Sequence, residues 1–84
     1  MKVEETLAER AKVYGSFHDL SDTAQSLKEV MVRAGGWNRL SNSHREALNL
    51  ISTKIARILT GDPYHEDSWL DIAGYATLAK DNRE

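Results

Sequence analysis

The chain has no cysteine, a single proline and one phenylalanine in 84 residues. Without cysteine no disulfide can close a loop and no thiolate cage can hold zinc, which removes two of the staples of small domains and suits a reducing compartment. With so little proline and no low-complexity stretch there is no linker, and no unit of about 20 to 50 residues recurs. The chain therefore reads as a single helical domain over 1–84. No apolar run approaches the roughly 20 residues that cross a bilayer. The N-terminal stretch MKVEETLAER is acidic and lacks the apolar segment of a secretory signal, so the expected location is the cytoplasm, with no membrane partner. A basic surplus is missing too. Eleven Lys and Arg stand against 13 Asp and Glu, a net charge of -2, which argues against a general nucleic-acid binder, whose phosphate contacts need cations in excess on one face.

What is present is helical patterning. Val3 to Tyr14 carries Glu4, Glu5 and Glu9 toward its start and Arg10 and Lys12 toward its end, the order a helix dipole prefers, and Gly15 supplies a left-handed stop. Ser16 followed by Asp19 caps a second helix, with Ser21 as an alternative start. Its residues Phe17, Leu20, Ala24, Leu27, Val30, Met31 and Ala34 recur at helical spacing, and Gly35-Gly36 reads as its end. Trp37 to Asn42 reads as a connector in which Trp37 is an anchor. Ser43 and Glu46 form a capping box for a third helix running to about Thr60, apolar along Ala47, Leu48, Ile51, Ile55, Ile58 and Leu59. Glu46, Thr53 and Arg57 lie roughly opposite that face. Gly61 ends the helix, Asp62-Pro63 turns, and a fourth helix from about Glu66 to Lys80 is apolar on most of its sides. The expected fold is all-α, a compact bundle of about four helices completed by homo-oligomerisation. A chain this short buries only about 60 to 65% of its extended surface, and a second subunit covers the fourth helix more easily than the chain itself can.

Three constellations carry chemistry. Asp67 and Asp71 stand one turn apart on the polar strip of the fourth helix, a like-charge pair that costs about 0.2 to 0.5 kcal/mol. Lys54 or Arg57 from the third helix, a divalent cation, or a ligand's hydroxyls or amines would each relieve it. Gly74 follows on the same strip, and a glycine inside a helix reports the close approach of another helix or the floor of a pocket. Arg10, Lys12 and Tyr14 end the first helix, and Lys54 and Arg57 sit near the end of the third. Brought together with Tyr14 and Trp69, these cations would suit a nucleotide-like ligand with phosphates and a ring to stack. His18, His44 and His65 lack the pairing of a helical zinc site and read as surface residues. No P-loop, nucleophile elbow or dinucleotide fingerprint occurs.

The stretches ERAKVYGSF at 9–17, LSNSHREAL at 40–48, KIARILTGD at 54–62 and DSWLDIAGYA at 67–76 together resemble a small helical domain of phage and prophage genomes. That domain is loosely similar to nucleotide-modification-associated and MazG-like all-α proteins. In those a YG ends the first helix and a D-x-x-x-D-hydrophobic run recurs on the last. The resemblance implies a setting in phage nucleotide metabolism or in the manipulation of host nucleotide signals, in the host cytoplasm. MazG-like pyrophosphohydrolases gather Mg²⁺ with an ExxE pair on one helix and an ExxD pair on another. Here Asp67 and Asp71 match only the second pair, with altered spacing, and the helix that should carry the first offers Glu46 and then the basic Lys54 and Arg57.

The expectation is thus a phage-type binding protein for a nucleotide-derived small molecule, without catalysis and without a cofactor, sequestering a host defence signal. Its ligand-binding residues would be Lys12, Tyr14, Lys54, Arg57, Asp67, Trp69 and Asp71. A MazG-like, Mg²⁺-dependent pyrophosphohydrolase completed by Glu46 or Glu66 and a protein-protein inhibitor or scaffold are the alternatives.

Overall fold

A computed structural model describes residues 2–82. Four α-helices follow in order: α1 (Val3–Tyr14), α2 (Phe17–Arg33), α3 (Asn42–Thr60) and α4 (Glu66–Asp81), with a 3-10 turn at Gly35–Arg39 between α2 and α3. No strand occurs among the described residues, and the fold is all-α as its patterning predicts. Among the described residues no helix is long and apolar enough to cross a membrane.

The caps explain most of the boundaries. Ser16 Oγ accepts the Asp19 N–H at 3.0 Å and opens α2. The third helix begins earlier than the Ser43/Glu46 pattern predicts. Ser41 is its N-cap, accepting the His44 N–H at 3.2 Å, and the His44 ring nitrogen Nδ1 sits 2.6 Å from the same hydroxyl. The reason lies upstream. The stretch expected as a connector, Trp37 to Asn42, is largely helical instead: residues 35–39 coil into the 3-10 turn, so that the chain re-enters helical geometry sooner. Gly35 and Gly36 are consequently not a left-handed stop; α2 ends on an extended Ala34 and both glycines belong to the turn. Arg45 Nε donates to the Trp37 carbonyl at 3.2 Å and its guanidinium lies 5.7 Å from the centroid of the Trp37 ring, which pins the turn to α3.

α3 is the central element. α2 packs along one of its flanks and α4 along the other, so the three helices form a layer with α3 in the middle; α1 touches α2 and α3 only lightly, its end lying against the end of α3. The side chains buried deepest between the helices are small. The buried residues are Ala24, Ala47, Ser52, Ala56 and Ser68, and among the described residues no large side chain is fully buried. Such small residues let helix axes approach closely but bury little apolar area. The molecule measures 42 × 25 × 23 Å with a radius of gyration of 14.3 Å, against about 12 Å for a spherical domain of this length.

Two polar bridges tie the layer together on one side. Lys28 Nζ of α2 donates to Thr53 Oγ1 of α3 at 3.0 Å, and Lys54 Nζ of α3 meets Asp71 Oδ2 of α4 at 2.8 Å. On that same side the end of α1 is stitched to the end of α3.

Candidate functional site

The site grows from a crossing of two glycines. Gly15 has φ +77°, the one positive φ among the described residues, and a Cβ on it would overlap the carbonyl oxygen of Thr60. Gly61 is its counterpart, since a Cβ there would overlap the carbonyl of Val13 and the backbone of Tyr14. Because neither residue carries a side chain, the two helix ends meet backbone to backbone. The Asp62 N–H donates to the Val13 carbonyl at 2.6 Å, and Thr60 Oγ1 lies 3.2 Å from the Tyr14 carbonyl and 2.9 Å from that of Ala56. The YG of the first motif and the TGD of the third are thus two halves of one joint.

That joint sets Tyr14 among cations. The Arg57 guanidinium lies 4.7 Å from the centroid of the Tyr14 ring and that of Arg10 5.3 Å from it. His65, in the turn before α4, meets the ring edge-on at 5.6 Å between centroids. A guanidinium over an aromatic face gains about 0.5 to 2 kcal/mol according to how far it is desolvated. Arg57 is half-buried, its Nε is enclosed without an acceptor, and among the described residues neither Arg57 nor Arg10 has a carboxylate partner. An enclosed donor left unmatched costs about 1 to 3 kcal/mol. Beside these groups opens a cleft of about 400 Å³ lined by Leu7, Arg10, Ala11, Tyr14, Phe17, Leu20 and Arg57. Its walls are apolar and its polar groups cationic, a combination suited to a ligand with an anionic group and a flat or apolar body.

The predicted site residues do not all arrive here. Tyr14 and Arg57 share the cleft. Lys54 stands one turn before Arg57 on α3 and is paired with Asp71, its side chain 15% exposed against 44% for the carboxylate. This is the interhelical ion pair that the spacing of the two aspartates invites. Asp67 is 75% exposed and lies 3.8 Å from His65 Nε2. Trp69 donates from Nε1 to the Pro63 carbonyl at 2.8 Å and is 54% exposed, outside the cleft lining. Lys12 lies on the exposed side of α1 and does not line the cleft either. Arg10 takes that place for a simple reason: it is four residues before Tyr14 and shares its face, whereas Lys12 is two before and points away. His65 carried no such signal, because only the fold of the 62–65 turn brings it to the ring.

The two aspartates therefore differ in what they hold. Asp71→Ala is expected to lower stability by about 1 to 3 kcal/mol, since it strands a largely enclosed ammonium, while Asp67→Ala stays within about 0.5 kcal/mol. Urea titration of both variants checks this, and equal losses would contradict it. Gly74 reports neither a close approach nor a pocket floor, for a Cβ there would meet nothing within 4 Å. Gly74→Ala is accordingly expected to raise stability by about 0.5 to 1 kcal/mol through helix propensity and a less flexible unfolded chain. A lower melting temperature for that variant would show that the glycine has a contact to keep.

A second cleft, of about 430 Å³, lies between the start of α3 and the end of α4 and is lined by Asn42, Glu46, Leu50, Tyr75, Leu78 and Asn82 among others. It holds no cation. Glu46 is eight residues before Lys54, about 12 Å along the helix axis at 1.5 Å per residue, so it does not join Asp67 and Asp71 within one chain. Among the described residues no group of three or more His, Asp or Glu side chains is arranged to hold a metal ion.

A family model described as a domain of unknown function, DUF6378, matches residues 2–83. No curated protein and no solved structure matches the chain.

Proposed function

The chain belongs to the DUF6378 family, whose description assigns no activity, and on the chemistry of its cleft we propose that it binds a nucleotide-derived small molecule without turning it over. One observation carries this reading: two guanidiniums with no carboxylate partner among the described residues flank the Tyr14 ring at the rim of an apolar cleft. Arg57 and Arg10 would hold phosphate oxygens, for which the planar fork of arginine is suited. The apolar wall formed by Leu7, Phe17 and Leu20 would take the base or sugar. Lys54 and Asp71 are occupied with each other and support the site through α3 rather than touch the ligand. The binding unit is taken to be a cytoplasmic homo-oligomer of phage type, and its biological use to be sequestration of a host defence signal.

The purified protein is to be mixed with ADP-ribose and with cyclic dinucleotides, freed of unbound ligand, and heat-denatured. Recovery of intact ligand supports the proposal, and no retention at micromolar protein removes it. The MazG-like reading makes a different prediction, pyrophosphate release that disappears in Asp71→Asn. The Lys54–Asp71 pair and the distance to Glu46 weigh against it, because a metal site needs its carboxylates free and convergent.

A further inference from the structure

The polar bridges that tie α2, α3 and α4 together define two sides of the layer. In a helix a residue two positions from another points about 200° away from it. Two positions from Lys28 on α2 is Val30, two from Thr53 on α3 is Ile55, and two from Asp71 on α4 is Trp69. All three turn to the side opposite the bridges, and all three are exposed. Leu48, Ile55 and Leu59, spaced seven and four apart, run in a line along α3 on that side, with Leu59 66% exposed. Arg57 lies about half a turn around α3 from this line, so the ligand cleft is on the other face. Between Leu48 and Leu59 no ionisable residue of α3 shares the line, and His44, one turn before Leu48, continues it toward the start of the helix.

A layer of helices needs a second layer to make a core, and the amounts here show what is missing. The chain exposes 6161 Å², whereas a folded monomer of 9.5 kDa exposes about 5,000 Å². The excess, about 1,000 Å², is the area that one partner contributes to a standard-sized protein interface, about 800 Å². We infer that this face is covered by a second copy of the chain, joined about a twofold axis across the Leu48–Ile55–Leu59 line of α3. An apolar, uncharged strip is complementary to itself, as a twofold interface requires. The contact would also supply the large buried side chains that the described residues of the single chain lack, and a second copy is present whenever the chain is made.

Sedimentation equilibrium of the full chain at several micromolar concentrations tests the inference, with Ile55→Glu and Leu59→Glu as variants and Leu78→Glu, exposed beside the Glu46 cleft, as control. The expected result is twice 9.5 kDa for the parent and for the control, and 9.5 kDa for both interface variants. The parent's melting temperature should rise with concentration and that of Leu59→Glu should not. A parent that sediments at 9.5 kDa throughout overturns the inference. So does a dimer that Ile55→Glu and Leu59→Glu leave intact, which would place the contact elsewhere. Should Ile55→Glu fail to fold at any concentration, the more exposed Leu59→Glu gives the same reading. Neither outcome depends on ligand binding, since Arg57 is untouched.

Discussion

Replacing Arg57 with alanine is expected to weaken ADP-ribose binding about 100-fold, equal to about 2.7 kcal/mol, while leaving thermal stability within about 1 kcal/mol of the parent. The two halves of that expectation have one origin. In the free protein Arg57 makes a cation–π contact with Tyr14 but keeps an enclosed Nε without an acceptor, so losing the side chain forfeits one favourable contact and removes one unfavourable one. With an anion bound, the same guanidinium would gain charge-assisted hydrogen bonds of which Arg10 on the other side of the ring would keep only its own share. Arg57→Lys should recover only a fraction of the affinity, because an ammonium neither stacks flat on the ring nor donates as a fork. Titration calorimetry with ADP-ribose, run beside thermal unfolding, separates the outcomes. If stability collapses together with binding, Arg57 is a structural residue. If the parent binds and Arg57→Ala binds equally well, the cleft is not where the ligand sits.

Gly61→Ala and Gly15→Ala should each cost about 3 kcal/mol, which for a domain of this size lowers the melting temperature by about 12 °C or more. At both positions the added methyl group collides with main chain, not with a flexible side chain that could turn aside. Gly15 adds the penalty of a left-handed φ. Relief requires α1 to lift off α3, which breaks the bond from the Asp62 N–H to the Val13 carbonyl and carries Tyr14 away from Arg57. Ligand binding should therefore fall along with stability, whereas Arg57→Ala lowers binding and keeps stability. Hydrogen exchange offers a local check, as the amide of Asp62 should lose its protection in either variant. A melting temperature within a few degrees of the parent, for either variant, would show that the joint yields more readily than its geometry implies.

Where the helices run was legible in the residues. The cap at Ser16 and the stop at Gly15 follow from local chemistry, as does the apolar face of α3, because a helix and its ends answer to neighbours within about four positions. The start of α3 is ambiguous for the same reason in reverse. Ser41 with His44 and Ser43 with Glu46 both satisfy a local capping pattern, and the 3-10 turn at 35–39 selects between them. The cost of Gly74 to its helix predicts the close approach of another helix or the floor of a pocket, yet the residue faces open space.

The candidate site divides along the same lines. Composition and periodicity established an all-helical chain with a polar pair on its last helix and cations near two helix ends. Contacts distant in the chain assigned the partners: Lys54 to Asp71, Arg57 and Arg10 to Tyr14, and His65 to the edge of that ring, leaving Lys12, Asp67 and Trp69 outside the cleft. Spacing along a helix says which side a residue faces. What stands on that side depends on how two helix ends cross, and here the crossing is set by Gly15 and Gly61, 46 positions apart, each passing where any side chain would block the other.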